Sequence, residues 1–193
     1  MQKYPTLAVL FLLPLMLYSG NVLSNKQNIT LPDDVKHAYV GVETCGMCHK
    51  SAQQGEQLNI WKKSAHALAY LALQTPKADS IALTKGFTTK AAETEACLKC
   101  HVSGYNIDKE LVKAKFKMED GVQCETCHGA GNDYKSPSIM KDKEKAVANG
   151  LIVPADREAF CKGCHNTESP TFISFNFADQ WAKIKHYKPG NEK

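Results

Sequence analysis

Arginine is nearly missing from this chain. Of 24 basic residues only Arg157 is arginine, so its positive charge sits on compact ammonium groups rather than bidentate forks. That argues against specific phosphate or nucleic-acid recognition; a lysine-rich surface of mild net charge, +4, ordinarily serves solubility, with loose electrostatic docking of a partner as the functional alternative. A run of span length is missing too. The apolar stretch at residues 7–17 is broken by Pro14, and eleven residues fall well short of the roughly 20 a bilayer-spanning helix needs. With Lys3 and the free amine before it and Val22-Leu23-Ser24 as a cleavage site after it, residues 1–24 read as an export signal rather than an anchor. No membrane span is expected in the mature chain. Strand patterning is poor, and no Ser-His-Asp arrangement, phosphate loop or low-complexity segment occurs, so nothing marks the chain as an enzyme.

What remains is one domain, residues 25–193, with 43% hydrophobic and 23% charged residues, an ordinary globular balance. Eight cysteines in an exported chain normally imply disulfides. Their spacing says otherwise. They fall into four C-x-x-C pairs, Cys45/Cys48, Cys97/Cys100, Cys124/Cys127 and Cys161/Cys164, each followed at once by a histidine: His49, His101, His128 and His165. Two sulfurs three residues apart lie on one side of a helical turn, where they can add to the two vinyl groups on one edge of a porphyrin. The next residue then presents its imidazole to the iron. A four-thiolate zinc site, a thioredoxin-like redox motif or four small disulfide loops would each leave the four histidines unexplained.

Four motifs predict four covalently held haems c, here numbered I–IV in chain order. The intervals between motifs are 47, 22 and 32 residues, none long enough for a separate domain, so the four haems share one envelope. The interior is then largely porphyrin, and the haem-free chain is not expected to fold. The expected fold class is mainly α with long loops ordered by haem contacts. Helices are expected over 50–74, ending before Pro76; over 88–100, leading into motif II; over 140–148, stopping at Asn149-Gly150; and over 154–164, leading into motif IV. A last helix is capped by Asn176, carries Phe177, Trp181 and Ile184 at i, i+4, i+7, and runs to Pro189-Gly190. The glycines at 104, 121 and 129–131 cluster around motifs II and III, where they serve either close approach to a porphyrin face or ordinary turns.

Four irons have eight axial positions, and the motif histidines fill four. His66, His186 and His37 are the other histidines and are read as distal ligands, which leaves the count one short. Either one iron is five-coordinate, or a methionine supplies a ligand, with Met140 best placed, or a neighbouring molecule does. Two imidazoles hold iron closed for outer-sphere electron transfer; a methionine raises the potential, and an open position admits a small molecule.

With these residues on the page, the chain resembles the tetrahaem cytochrome c-554-type family. The matching stretches are Tyr39-Val40-Gly41 ahead of CGMCHK, W-x-x-S-A-H-A at 61–67, CLKCHVSGY at 97–105, GVQCETCHGAGNDY at 121–134, CKGCH at 161–165 and HYK at 186–188, in the same order. The resemblance implies a multihaem cytochrome c with closely packed haem pairs. By analogy His66 ligates haem IV, His186 ligates haem III, and haem II is five-coordinate. Relatives of the nitrifier type carry a distal histidine for haem I between positions 134 and 150, where this chain has Met140 and several lysines instead. Haem I then takes His37, takes Met140, or borrows a histidine from a neighbouring subunit, in which case His37 is an intermolecular ligand.

The expected function is electron relay between periplasmic or extracellular redox partner proteins. Two alternatives of other classes are a subunit of a conductive extracellular filament, and a small nitrogen-oxide reductase working at an open haem.

Overall fold

Helical segments in this protein are interrupted within two turns by capping residues and left-handed backbone. The computed structural model describes residues 37–191, so the export signal expected at 1–24 lies outside the described residues. Ten short α-helices follow: α1 (Val42–Gly46), α2 (Gln57–Lys62), α3 (Ala69–Leu73), α4 (Pro76–Thr84), α5 (Glu95–His101), α6 (Cys124–His128), α7 (Pro137–Met140), α8 (Lys143–Ala148), α9 (Arg157–Lys162) and α10 (Phe177–Ile184). The longest has nine residues. One isolated parallel bridge, Tyr39 with Val112, is the extended pairing among the described residues. The class is therefore mainly α with long loops, as the sequence predicts.

Where the boundaries differ, the cause is local. Residues 50–74 do not form one helix. Gly55 at φ 95° and Glu56 at φ 53° break the chain before α2, and Ser64, whose hydroxyl donates to the Trp61 carbonyl, opens a 3-10 turn over Ala65–Leu68 that carries His66. Over 88–100 the helix is confined to α5, preceded by a 3-10 turn at Ala91–Glu93. The stretch 140–148 splits because Asp142 caps α8 by accepting from the Lys145 N–H, and 154–164 turns helical only after Asp156 accepts from the Ala159 N–H. Asn176 caps α10 as expected, but that helix ends at Ile184 rather than running to Pro189, which leaves His186 beyond it.

The protein contributes little apolar interior. Eleven hydrophobic residues are buried among those described; five are alanines and three are valines, and no Phe, Trp, Ile or Met is among them. The apolar cluster joins Leu73 of α3, Ala82 of α4, Ala91 of the 3-10 turn before α5, Leu98 of α5 and Val102 just after it. Meanwhile Leu68, Leu71, Leu83 and Phe87 stay exposed, and the largest fully buried side chains are Gln123, Glu125 and Ser103. A domain of this size normally buries large aliphatic and aromatic side chains. Here that volume must come from elsewhere.

Candidate functional site

Each C-x-x-C-H motif begins on one turn of helix: α1, α5, α6 and α9 carry Cys45, Cys97/Cys100, Cys124/Cys127 and Cys161 respectively. The four motifs converge. Cys45 lies close to Cys124, and Cys100 to Cys164. Cys127 in turn neighbours Cys161 and Cys164. None of the eight is in a disulfide. No group of three or more His, Cys, Asp or Glu is gathered for a metal ion among the described residues, so the thiols do not assemble as a structural zinc site would require.

The histidines pair across motifs. The His66 and His165 rings stand 6.0 Å apart between centroids at 46°, and those of His128 and His186 stand 6.1 Å apart at 64°. A metal–imidazole nitrogen bond takes about 2.0–2.1 Å, so each gap suits one metal between two rings. Burial, and then the neighbouring imidazole, pushes His66, His128 and His165 below the usual histidine range, which favours the neutral form a metal needs.

Hydrogen bonds fix which nitrogen each ring leaves free. Nδ1 of His101 donates to the Ala69 carbonyl at 2.7 Å, and Nδ1 of His186 donates to the Ile184 carbonyl at 2.8 Å, so in both Nε2 remains for a ligand. The His66 turn is held from the motif III side. Val122 N–H donates to the His66 carbonyl at 3.0 Å, and Trp61 Nε1 donates to the Val122 carbonyl at 2.8 Å. Gly121, at φ 68°, makes this approach feasible, because a Cβ there would lie 2.6 Å from the His66 carbonyl oxygen. On the other side, Phe175 stacks on His165 at 4.7 Å and 13°.

His37 is placed differently. Its Nδ1 faces Asp133 Oδ2 at 2.6 Å and its ring lies against Gly150, where a Cβ would come within 2.5 Å of it. It makes no ring contact with a motif histidine among the described residues. Met140 is half-buried at the end of α7. Motif II borders a cleft whose apolar wall is Leu73, Ala78 and Ile81 beside Cys97, Cys100 and His101, with Lys77 and Glu168 among its polar lining. The paired imidazoles, the clustered thiols, the sparse protein core and this cleft all fit haem.

Two features escaped the sequence reading. Glu125 and Gln123, inside and beside motif III, are each 2% exposed. The available signal was an acid inside a C-x-x-C that is followed by Gly-Ala-Gly. Asp133 as the partner of His37, 96 residues away, left no sequence signal.

Residues 44–129, which hold motifs I to III, match the family model described as cytochrome c554 and c-prime. Cytochrome c-554 of Nitrosomonas europaea is 31% identical over 140 residues, covering 66% of this chain and 57% of that relative. The chain thus spans little more than half the length of the curated relative it matches. No solved structure matches the chain.

Proposed function

Because the chain belongs to the c-554-type cytochrome family, we propose that it is an exported electron carrier holding four haems c through its four C-x-x-C-H motifs. The observation that carries this reading is the pairing of a motif histidine with a non-motif histidine twice, His165 with His66 and His128 with His186, at 6.0 and 6.1 Å. When bound, each haem supplies a one-electron couple with no need for substrate contact. The chain does the rest. Cys45, Cys48, Cys97, Cys100, Cys124, Cys127, Cys161 and Cys164 anchor the four groups. His49, His101, His128 and His165 ligate from one face, while His66 and His186 close the opposite faces of IV and III against small molecules.

For haem I the proposed distal ligand is His37. Its hydrogen bond to Asp133 leaves Nε2 free in the same way as in His186, whereas Met140 has no comparable support. The proximity of Cys45 to Cys124 and of Cys100 to Cys164 supports pairing haem I with III and haem II with IV. Lysines around the rim then meet partner proteins transiently, and the export signal expected at 1–24 puts the carrier in the periplasm or outside the cell. Neither match favours the filament or the nitrogen-oxide reductase reading.

Mass spectrometry and paramagnetic resonance on protein secreted by a maturation-competent host test this proposal. The expected result is the added mass of four haems, with His66→Ala and His186→Ala each converting one low-spin iron to another spin state. Absence of the added mass overturns the reading.

A further inference from the structure

An ionisable side chain, Glu125, is among the most deeply buried in this protein, at 2% exposed. Its Oε1 accepts from the Val40 N–H at 2.9 Å and the Gly131 N–H at 2.7 Å, and its Oε2 accepts from the Gly41 N–H at 2.8 Å. All three partners are backbone donors and none carries a charge. The arrangement specifies a carboxylate, since an amide in the same place would aim its own N–H groups at an N–H. A buried anion without a counter-charge is costly, so three well-placed donors are what make it tolerable here.

Its position is as particular as its bonding. Glu125 follows Cys124 on α6, and Gly41 directly precedes α1, which carries Cys45; α1 and α6 pack against each other. The carboxylate therefore sits where motifs I and III meet. Burial and then the Glu125 charge push up the Tyr39 hydroxyl, and Tyr134 is raised by burial, Cys45 and Glu125 in that order, which marks how far the charge reaches through this interior. The other motifs have nothing equivalent. Between their cysteines they carry Gly46-Met47, Leu98-Lys99 and Lys162-Gly163, so motif IV holds a lysine at the position of Glu125 and motif II a leucine with a lysine one place on.

On the reading of the chain as a four-haem electron carrier, we propose that Glu125 is a fixed negative charge that lowers the reduction potential of haem III most and of haem I next. Reduction adds one electron to a buried site beside this anion, and in an interior of low dielectric the repulsion favours the oxidised form. Each step moves one electron from a donor protein through the relay to an acceptor protein. Glu125 itself gains and loses neither electron nor proton.

The test is a spectroscopically resolved redox titration of the four-haem protein and of its Glu125→Gln and Glu125→Asp variants. In Glu125→Gln two of the four couples move upward unequally, the larger by at least tenfold in the reduced-to-oxidised ratio at fixed potential, or 59 mV for one electron. The other two stay put, and Glu125→Asp, which keeps the charge, remains near the parent protein. Unmoved couples in fully loaded Glu125→Gln, a uniform shift of all four, or equal shifts in both variants overturn the proposal. Should Glu125→Gln fail to retain its haems, the parent protein decides. Labelled with 13C-glutamate to separate side chain from haem propionates, it gives an infrared carboxylate band that follows the titration of one couple, and no such band sinks the idea. Failure of the carrier reading shows up separately, as missing haem mass in the parent protein.

Discussion

Motifs I and III meet in a polar interior, whereas motifs II and IV meet beside an apolar one. Around Cys45 and Cys124, three stretches of irregular backbone converge, residues 38–41, 121–123 and 129–131. Their N–H groups have no helix or strand to bond within, so Glu125 takes those of Val40, Gly41 and Gly131, Gln123 takes that of Val42, and Ser103 takes that of Gln123. Around Cys100, by contrast, α3, α4 and α5 satisfy their own backbones and are free to present Leu73, Ala82 and Leu98, beside Ala91 and Val102. The difference teaches a rule of backbone satisfaction. Where a macrocycle displaces regular structure, buried side-chain acceptors must do what a ladder of main-chain bonds would otherwise do.

The strongest way to break this comparison is to remove the haems from both sides at once. The apolar cluster holds only two leucines and a few smaller groups, far short of what a domain of about 170 residues needs. Neither region is expected to survive alone, so unmatured chain should show no cooperative thermal transition by calorimetry. A cooperative transition would mean that the polypeptide core suffices after all.

A sharper cut removes one side chain from each region of the loaded protein. Leu73, 6% exposed, belongs to the apolar cluster and also lines the cleft beside motif II. Leu73→Ala should cost about 2–5 kcal/mol in denaturant unfolding, the range for a buried leucine that leaves a cavity. Gln123 accepts from Val42 and donates through Nε2 to the Lys117 carbonyl at 2.7 Å. Gln123→Ala leaves the buried Val42 N–H unpaired, for a smaller expected loss of about 1–3 kcal/mol. If the Gln123 variant proved the more damaging, the polar interior would be the principal anchor and the present ranking would be reversed.

The same contrast explains what the residues disclosed in advance. The four motifs, the mainly helical class and the Asn176 cap of α10 rest on spacing within a few residues, which can be read along a chain. The continuous helix over 50–74 failed because Gly55, Glu56 and Ser64 break the periodicity, and what holds the His66 turn in its broken form is Val122. Glu125 and Asp133 stayed hidden for a related reason. Val40 and Gly41 for Glu125, and His37 for Asp133, are 84 to 96 residues distant, and a polar side chain gives no sign that it will be buried until the segments around it have converged.

The smallest effect sits at the surface, where each region closes with one long-range ion pair: Glu43 with Lys117 near motif I, and Lys99 with Glu168 near motif II. Lys117, by its hydrogen bond and then its charge, holds the Glu43 carboxyl below the usual range, and Glu43 raises Lys117 in return. The depressed carboxyl contributes above its unfolded value of 4.5 and loses that contribution as pH falls through its lower folded value. The raised ammonium contributes below 10.5 and loses that contribution as pH climbs through its higher folded value. The pair therefore acts across the neutral range and fades at both extremes. Because both groups are fully exposed, solvent and salt screen them. Glu43→Gln should consequently differ only slightly from the parent protein in denaturation midpoint at pH 7, and the difference should vanish in 1 M salt. A difference that persists at high salt would show that Glu43 is held by something other than Lys117, and that motif I leans on its surface as well as on its polar interior.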